Sequence, residues 1–216
     1  MTSVSDMHDV LTETTKINKS ELILGGQKSG KSRRAEFLAR DWLLQSPDHK
    51  AVLIATAQPW DEEMRQRIAR HQRDRAERVP GLTTVEEPLQ LAQAINRLSR
   101  PDTLLVVDCL TLWLTNLLMT MADENTIKLP LNQRLAGDFT AYTAMLSIAI
   151  SGQKNGKKND VEGLIVIVSN EIGLGVIPMG LEVRAFVDAL GNLNQEIAQV
   201  CDKVTLMAAG LPLSLK

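Results

Sequence analysis

Residues 21–32 read ELILGGQKSGKS, and the reading of this stretch decides the fold. A short apolar run ends at Gly25. After four intervening residues come Gly30, Lys31 and Ser32, and from Lys31 a helical pattern runs on through RRAEFLAR. Strand, glycine turn and helix in that order are the setting that gives the spacing its meaning. Glycines let the backbone curl so that successive N–H groups point inward at phosphate oxygens. The helix start adds a partial positive charge. Gly25, Gly26, Gln27, Lys28, Ser29, Gly30, Lys31 and Ser32 are therefore expected to cradle the phosphates of a nucleoside triphosphate. Lys31 should reach the outer phosphates and Ser32 should ligate Mg²⁺ through its hydroxyl.

Outward from this stretch, short apolar runs alternate with helical patterns. Strands are expected at 21–24, 51–56, 103–108, 163–169, 203–209 and 211–215. Helices are expected at about 31–45, 60–75, 88–99, 110–122, 131–151 and 181–200. TLLVVD and GLIVIVS are apolar on successive residues, which suits strands covered on both faces. The alternation predicts an α/β fold with a mostly parallel, helix-flanked sheet. ADENTIKLP (122–130) and GQKNGKKND (152–160) read as loops. Residues 1–20 read as a flexible tail and 21–216 as one domain. The apolar face of the 110–122 helix, with Leu112, Trp113, Leu117 and Met121, suits either a core or a contact surface.

The bulk composition sets limits. Aromatics make up 3% of 216 residues, the formal charge is −2 and the pI is near 6.0. Neither a base-stacking surface nor a global basic footprint for nucleic acid is present. No apolar run is long enough to span a membrane. The first twenty residues lack a secretion-signal core, and the two cysteines, Cys109 and Cys201, form no CxxC pair. They read as free buried thiols of a cytoplasmic protein.

A second acid is needed near a phosphate cradle. Asp108 closes the TLLVVD run, where it can serve the Mg²⁺ shell, cap the following helix, or both. The cradle alone leaves kinase, ATPase and nucleotidyltransferase chemistry open. The guanine-reading NKxD of common GTPase switches does not occur.

Of three histidines, His8 and His49 have no helical or metal-ligand context. His71 lies in MRQRIARHQRDR (64–75), among five arginines. At helical spacing Met64, Arg67, Ile68, Asp74 and Arg75 share its side. Neighbouring guanidiniums disfavour the imidazolium, so a neutral, nucleophilic ring is expected there. A solvated basic helix with a bystander histidine is the competing reading.

Read together, LILGGQKSGKSRRAE, VLIATAQPWDEEMRQRIARH, TTVEEPLQL, LLVVDCLTLWLTNLL, VIVSNEIGLGVIP and LGNLNQEIAQVCDKV resemble the bifunctional adenosylcobinamide kinase / adenosylcobinamide-phosphate guanylyltransferases of cobalamin biosynthesis. The resemblance spans about residues 21–216. It implies a RecA-like P-loop domain and a homotrimer. It implies phosphorylation of the aminopropanol hydroxyl of adenosylcobinamide, with GTP or ATP as donor. It then implies transfer of GMP from GTP through a guanylyl-histidine to adenosylcobinamide phosphate. His71 matches the nucleophile and Lys31 the phosphate-binding lysine. Ala55, Thr56, Ala57, Gln72, Arg73, Asp74, Arg75, Glu86 and Asp108 match the rest of the nucleotide site. Corrinoid or Mg²⁺ contacts are expected from Asn170 and Glu171, at a strand end facing a glycine-rich loop. The chain departs from the family pattern in a longer AERVPGL connection and at Met179, Val187 and Asn192, and keeps it at Arg184 and Asp188. A P-loop small-molecule kinase with no nucleotidyl intermediate is the alternative, and a non-catalytic nucleotide-gated binding protein is a third reading.

Overall fold

The computed structural model describes residues 18–120, 138–154, 157–158 and 163–216. In chain order these form β1 (Ser20–Gly25), α1 (Lys31–Gln45), β2 (Lys50–Ala55), α2 (Glu62–Arg78), β3 (Leu82–Glu86), α3 (Leu91–Leu98), β4 (Thr103–Asp108), α4 (Leu110–Thr120) and α5 (Asp138–Ser151). A ribbon of β5 (Gln153–Lys154) and β6 (Lys157–Lys158) follows, then β7 (Leu164–Val168), α6 (Leu181–Val200), β8 (Lys203–Ala208) and β9 (Leu211–Ser214). The first 17 residues of the expected tail, the 122–130 loop, Met121 and residues 131–137 lie outside the described set. Ser20, at the expected tail boundary, is buried and already part of β1.

Seven strands form one sheet in the order β3-β2-β4-β7-β1-β8-β9. All pairings in it are parallel except β8 with β9. This is the expected helix-flanked, mostly parallel architecture. The apolar runs work as anticipated, because alternate residues feed opposite faces. Leu105, Val107, Ile165 and Ile167 join the cluster beneath α3–α6, whereas Leu104, Val106, Val166 and Val168 join the one beneath α1. Both faces are dry, so no polar residue is needed between them.

α4 belongs to the first cluster. Leu110, Trp113, Leu114 and Leu117 recur at helical spacing and are fully or nearly buried. The Trp113 indole donates to the Leu89 carbonyl at 2.8 Å. Of the expected face, Trp113 and Leu117 are core, Leu112 is half-buried and Met121 lies outside the described residues. Burying each such side chain contributes about 1.5–3 kcal/mol.

β3 departs from the expectation, since LTTVE was assigned to no strand. It is an edge strand with partly exposed to exposed positions throughout, so it lacks the apolar run that marks its neighbours. Its place beyond β2 is set by backbone pairing, from Ala51 with Leu82 to Ala55 with Glu86.

Candidate active site

The strand order assembles the site. β1 and β4 are separated in the sheet by β7 alone. All three are parallel, so their C-terminal ends open on the same edge, where open α/β sheets bind ligands. β1 delivers the glycine turn and β4 delivers Asp108. β7 delivers Asn170 and Glu171, just past its end and between the other two. Backbone bonds fix that segment, from Glu171 N to the Gly25 carbonyl at 2.9 Å and from Asn170 N to Thr111 Oγ1 at 3.0 Å. The Asn194 amide of α6 donates to the Asn170 carbonyl at 3.0 Å.

The glycine turn has the expected conformation. Gly30 precedes α1 with φ 100°, in the left-handed region. Gly25 has φ 149°, and a Cβ there would stand 2.5 Å from the Met207 carbonyl and 2.6 Å from Ser29 Oγ. The Met207 oxygen belongs to β8, the adjacent strand, and cannot retreat without moving the sheet. Gly25→Ala is therefore expected to lower stability by about 1–3 kcal/mol and to weaken triphosphate binding. Urea melts and nucleotide titration check both effects. The β8–β9 turn braces the cradle from outside, with Gly210 N donating to the Ser29 carbonyl at 3.0 Å.

Lys31 is 7% exposed, and its ammonium donates to the Gly26 carbonyl at 2.6 Å. The side chain thus folds over its own loop. Burial pulls its pKa below the ordinary lysine value, against Cys109 and Asp108, which raise it. The Cys109 thiol is itself pushed up to about 11 by burial, so at neutral pH the opposing charge is that of Asp108. Ser29 Oγ is buried with no hydrogen-bond partner among the described residues. A desolvated cation and an orphaned hydroxyl in one turn suit phosphate oxygens. Ser32 and Asp108 are hard oxygen donors. Mg²⁺ needs few from the protein, because water and phosphate fill most of its shell. No cluster of three or more acidic, histidine or cysteine side chains able to hold a metal occurs among the described residues.

α2 is a well-capped helix. Asp61 Oδ1 accepts from Met64 N at 2.7 Å, with Glu62 and Glu63 in the first turn and Arg75 and Arg78 in the last. Both ends thus complement the helix dipole. It starts at Glu62 rather than residue 60 and runs on to Arg78. None of its residues is fully buried; Met64, Ile68, His71, Asp74, Arg75 and Arg78 form the half-buried stripe. Arg67, expected on this stripe, is exposed, as are Gln72 and Arg73. His71 is held below the usual histidine value. Burial is the largest cause, Asp108 opposes it, and Arg67, Arg75 and Arg70 add to the lowering. The neutral ring is therefore as expected, but desolvation outranks the arginines as the cause. Asp108 acts electrostatically on both His71 and Lys31, so one carboxylate's field reaches both the helix and the cradle.

The remaining matched positions separate. Ala57 and Glu86 line an open cleft of about 390 Å³ with Gln58, Pro59, Trp60 and Pro88, where the β2–α2 and β3–α3 connections meet. Ala55 is half-buried at the end of β2. Thr56 is fully buried, and its hydroxyl clamps β4, donating to the Cys109 carbonyl at 2.7 Å and accepting from Cys109 N at 2.9 Å. The buried Asn116 amide donates to the Thr56 carbonyl at 2.7 Å and its oxygen accepts from Trp60 Nε1 at 3.4 Å. The roles of Trp60 and Asn116 were not legible, since their contact joins segments 56 residues apart. His49 stacks on Trp42 at 3.5 Å between ring centroids, a structural role. Cys109 and Cys201 are free and buried, as expected. Arg184 folds back onto the Pro178 and Met179 carbonyls at 2.8 and 2.7 Å. No helix among the described residues is long and apolar enough to cross a membrane.

Known proteins are similar to this chain over about nine-tenths of its length. The bifunctional adenosylcobalamin biosynthesis protein CobP of Pseudomonas aeruginosa is 44% identical over 196 residues, covering 91% of this chain and 96% of its own. The bifunctional adenosylcobalamin biosynthesis proteins CobU of Salmonella typhimurium and Escherichia coli are 32% and 30% identical over 195 residues, each covering 90% of this chain and 98% of their own. The profile of one family, cobinamide kinase / cobinamide phosphate guanyltransferase, matches residues 21–215, from the first strand through the cradle, α2 and the last strand. The chain belongs to the cobinamide kinase / cobinamide phosphate guanyltransferase family.

Proposed function

We propose that this protein phosphorylates the aminopropanol hydroxyl of adenosylcobinamide and then guanylylates the product, with His71 as the covalent carrier. In the first reaction the hydroxyl oxygen attacks the γ-phosphorus of ATP or GTP. The bond to the bridging oxygen breaks, and the nucleoside diphosphate leaves. Residues 25–32 hold the triphosphate, with Lys31 on its outer oxygens. Ser32 and Asp108 would hold Mg²⁺, which when bound neutralises phosphate charge. In the second reaction a ring nitrogen of His71 attacks the α-phosphorus of GTP and pyrophosphate leaves. The phosphate of adenosylcobinamide phosphate then displaces the histidine to give adenosylcobinamide-GDP. One displacement becomes two easier ones.

The observation that carries this reading is His71 itself: a ring kept neutral by burial, within the field of Asp108 and on a helix lined with arginines. Arg75, half-buried beside it with Asp74, would meet phosphate oxygens, and the cleft at Ala57, Trp60 and Glu86 would take the guanine base. Asn170 and Glu171, between cradle and Asp108, would meet the corrinoid acceptor. A homotrimer completes the reading, and sedimentation of the purified chain measures it.

Incubation with α-labelled GTP tests the relay. Acid-labile, alkali-stable label on the protein supports it, and kinase turnover without label sinks it. The pH dependence follows from the ring's state. Because burial holds the His71 pKa below the ordinary histidine value, the nucleophilic neutral form is the main one at neutrality and is lost as pH falls. The single-turnover labelling rate is expected to be flat near pH 7 and to fall off only on the acid side of an ordinary histidine.

A further inference from the structure

α2 is held to the body at few points. Among the described residues, the hydrogen bonds and ion pairs of its side chains stay within the helix and its cap, except those of Arg78. Arg78 reaches Glu36 of α1, with Nε 3.0 Å from Oε2 and Nη2 3.4 Å from Oε1. The Glu36 side chain is 3% exposed and that of Arg78 28%. Glu36 lies one helical turn beyond Ser32 and shares its face. Arg78 lies two turns beyond His71, also on its face, roughly 10 Å along the axis. One buried ion pair thus joins the helix that starts at the phosphate cradle to the helix that carries the histidine.

The carboxylate is placed at a cost. Burial raises its pKa, Arg78 and Arg75 oppose this, and Asp108 and Asp74 add to it. A leucine would fill the same space between two helices without that penalty. The 3.0 Å approach is also poorly directed, leaving Glu36 Oε2 and Arg78 Nε without an aligned hydrogen bond. The pair fixes the spacing of the two helices without locking them.

We propose that Glu36 and Arg78 are positioning residues for guanylylation: their ion pair sets the distance from His71 to a triphosphate whose outer end lies in the 25–32 turn. The proposal rests on His71 being the nucleophile. Neither residue lies in the proposed substrate site, and the kinase reaction, which uses the cradle, Asp108 and the acceptor contacts at Asn170 and Glu171, does not depend on where α2 sits.

The test compares wild type, E36Q, R78M and R78K by two readouts: single-turnover labelling with α-labelled GTP, and ATP-dependent phosphorylation of cobinamide. E36Q and R78M are expected to slow labelling at saturating GTP by about 10–100-fold, the scale of an ångström-level misplacement. Half-saturating GTP and kinase turnover should each stay within about threefold, since ground-state binding is not what the pair controls. R78K should recover part of the lost rate. Labelling at the wild-type rate in E36Q and R78M overturns the proposal. So does a parallel loss of both activities, or a rise in half-saturating GTP at unchanged maximal rate. Should E36Q fail to fold, R78M decides, because it alters the more exposed partner. An unlabelled wild type would overturn the nucleophile reading and this proposal together, whereas a labelled wild type with indifferent variants overturns this one alone.

Discussion

Replacing His71 with asparagine is expected to stop formation of the labelled guanylyl-protein, by about 10⁴-fold or more, because an amide nitrogen is not nucleophilic and cannot carry the guanylyl group. Phosphorylation of cobinamide should stay within about threefold of wild type, since that reaction uses a different nucleophile, the substrate hydroxyl. The substitution is small and polar at a half-buried position on a helix with no fully buried residue, so the fold should survive it. Circular dichroism checks this on the same preparation. The measurement is gel autoradiography after reaction with α-labelled GTP, beside a γ-labelled assay of corrinoid product. If the histidine only steadied phosphates, H71N would still label, more slowly and with weakened GTP affinity. That outcome would place the guanylyl group on another residue and remove His71 as its carrier. Arg75, on the same half-buried stripe, gives the contrast: losing a phosphate contact raises the GTP requirement but leaves the covalent step possible.

What could be read in advance depended on whether the information was local. The cradle was legible because eight adjacent residues carry it, and the backbone takes the expected turn at Gly25 and Gly30. β4 and β7 were legible because double-sided burial forces an apolar run. β3 was not, because an edge strand needs no such run and LTTVE is polar at three of five positions. The neutral state of His71 was anticipated from its arginines, yet burial is the larger cause, and burial depends on what the helix packs against. Arg67 shows the same limit. Helical spacing put it beside His71, but the body of the protein lies a little to the other side, where Arg78 meets Glu36. That pair joins positions 42 apart with no spacing rule between them. Asn170 and Glu171 were legible as a strand end. That they lie between the cradle and Asp108 follows only from the sheet order.

Lys31→Ala is expected to do what H71N does not, which is to impair both reactions. Kinase turnover should fall by about 10²–10³-fold, the usual scale for removing one preorganised donor from developing phosphate charge. Labelling of His71 should fall too if, as proposed, the α-phosphorus reaches the ring only when the outer phosphates are anchored in the turn. The variant should nonetheless melt no lower than wild type. Lys31 is 7% exposed, its pKa is pulled down by burial, and its ammonium donates at 2.6 Å to the loop carbonyl of Gly26. A desolvated cation of this kind is held for its ligand rather than for stability, so deleting it relieves a cost. Lys31→Arg should not restore activity, since a planar guanidinium cannot take the path of a slender chain folded against Gly26. The pattern across the two variants then carries the mechanism. If K31A lost the kinase but labelled His71 at the wild-type rate, the guanylyl donor would bind somewhere other than the 25–32 cradle, and a single triphosphate site serving both steps would have to be abandoned. If K31A lost both while H71N lost one, the cradle is common to the two reactions and α2 contributes the chemistry that separates them.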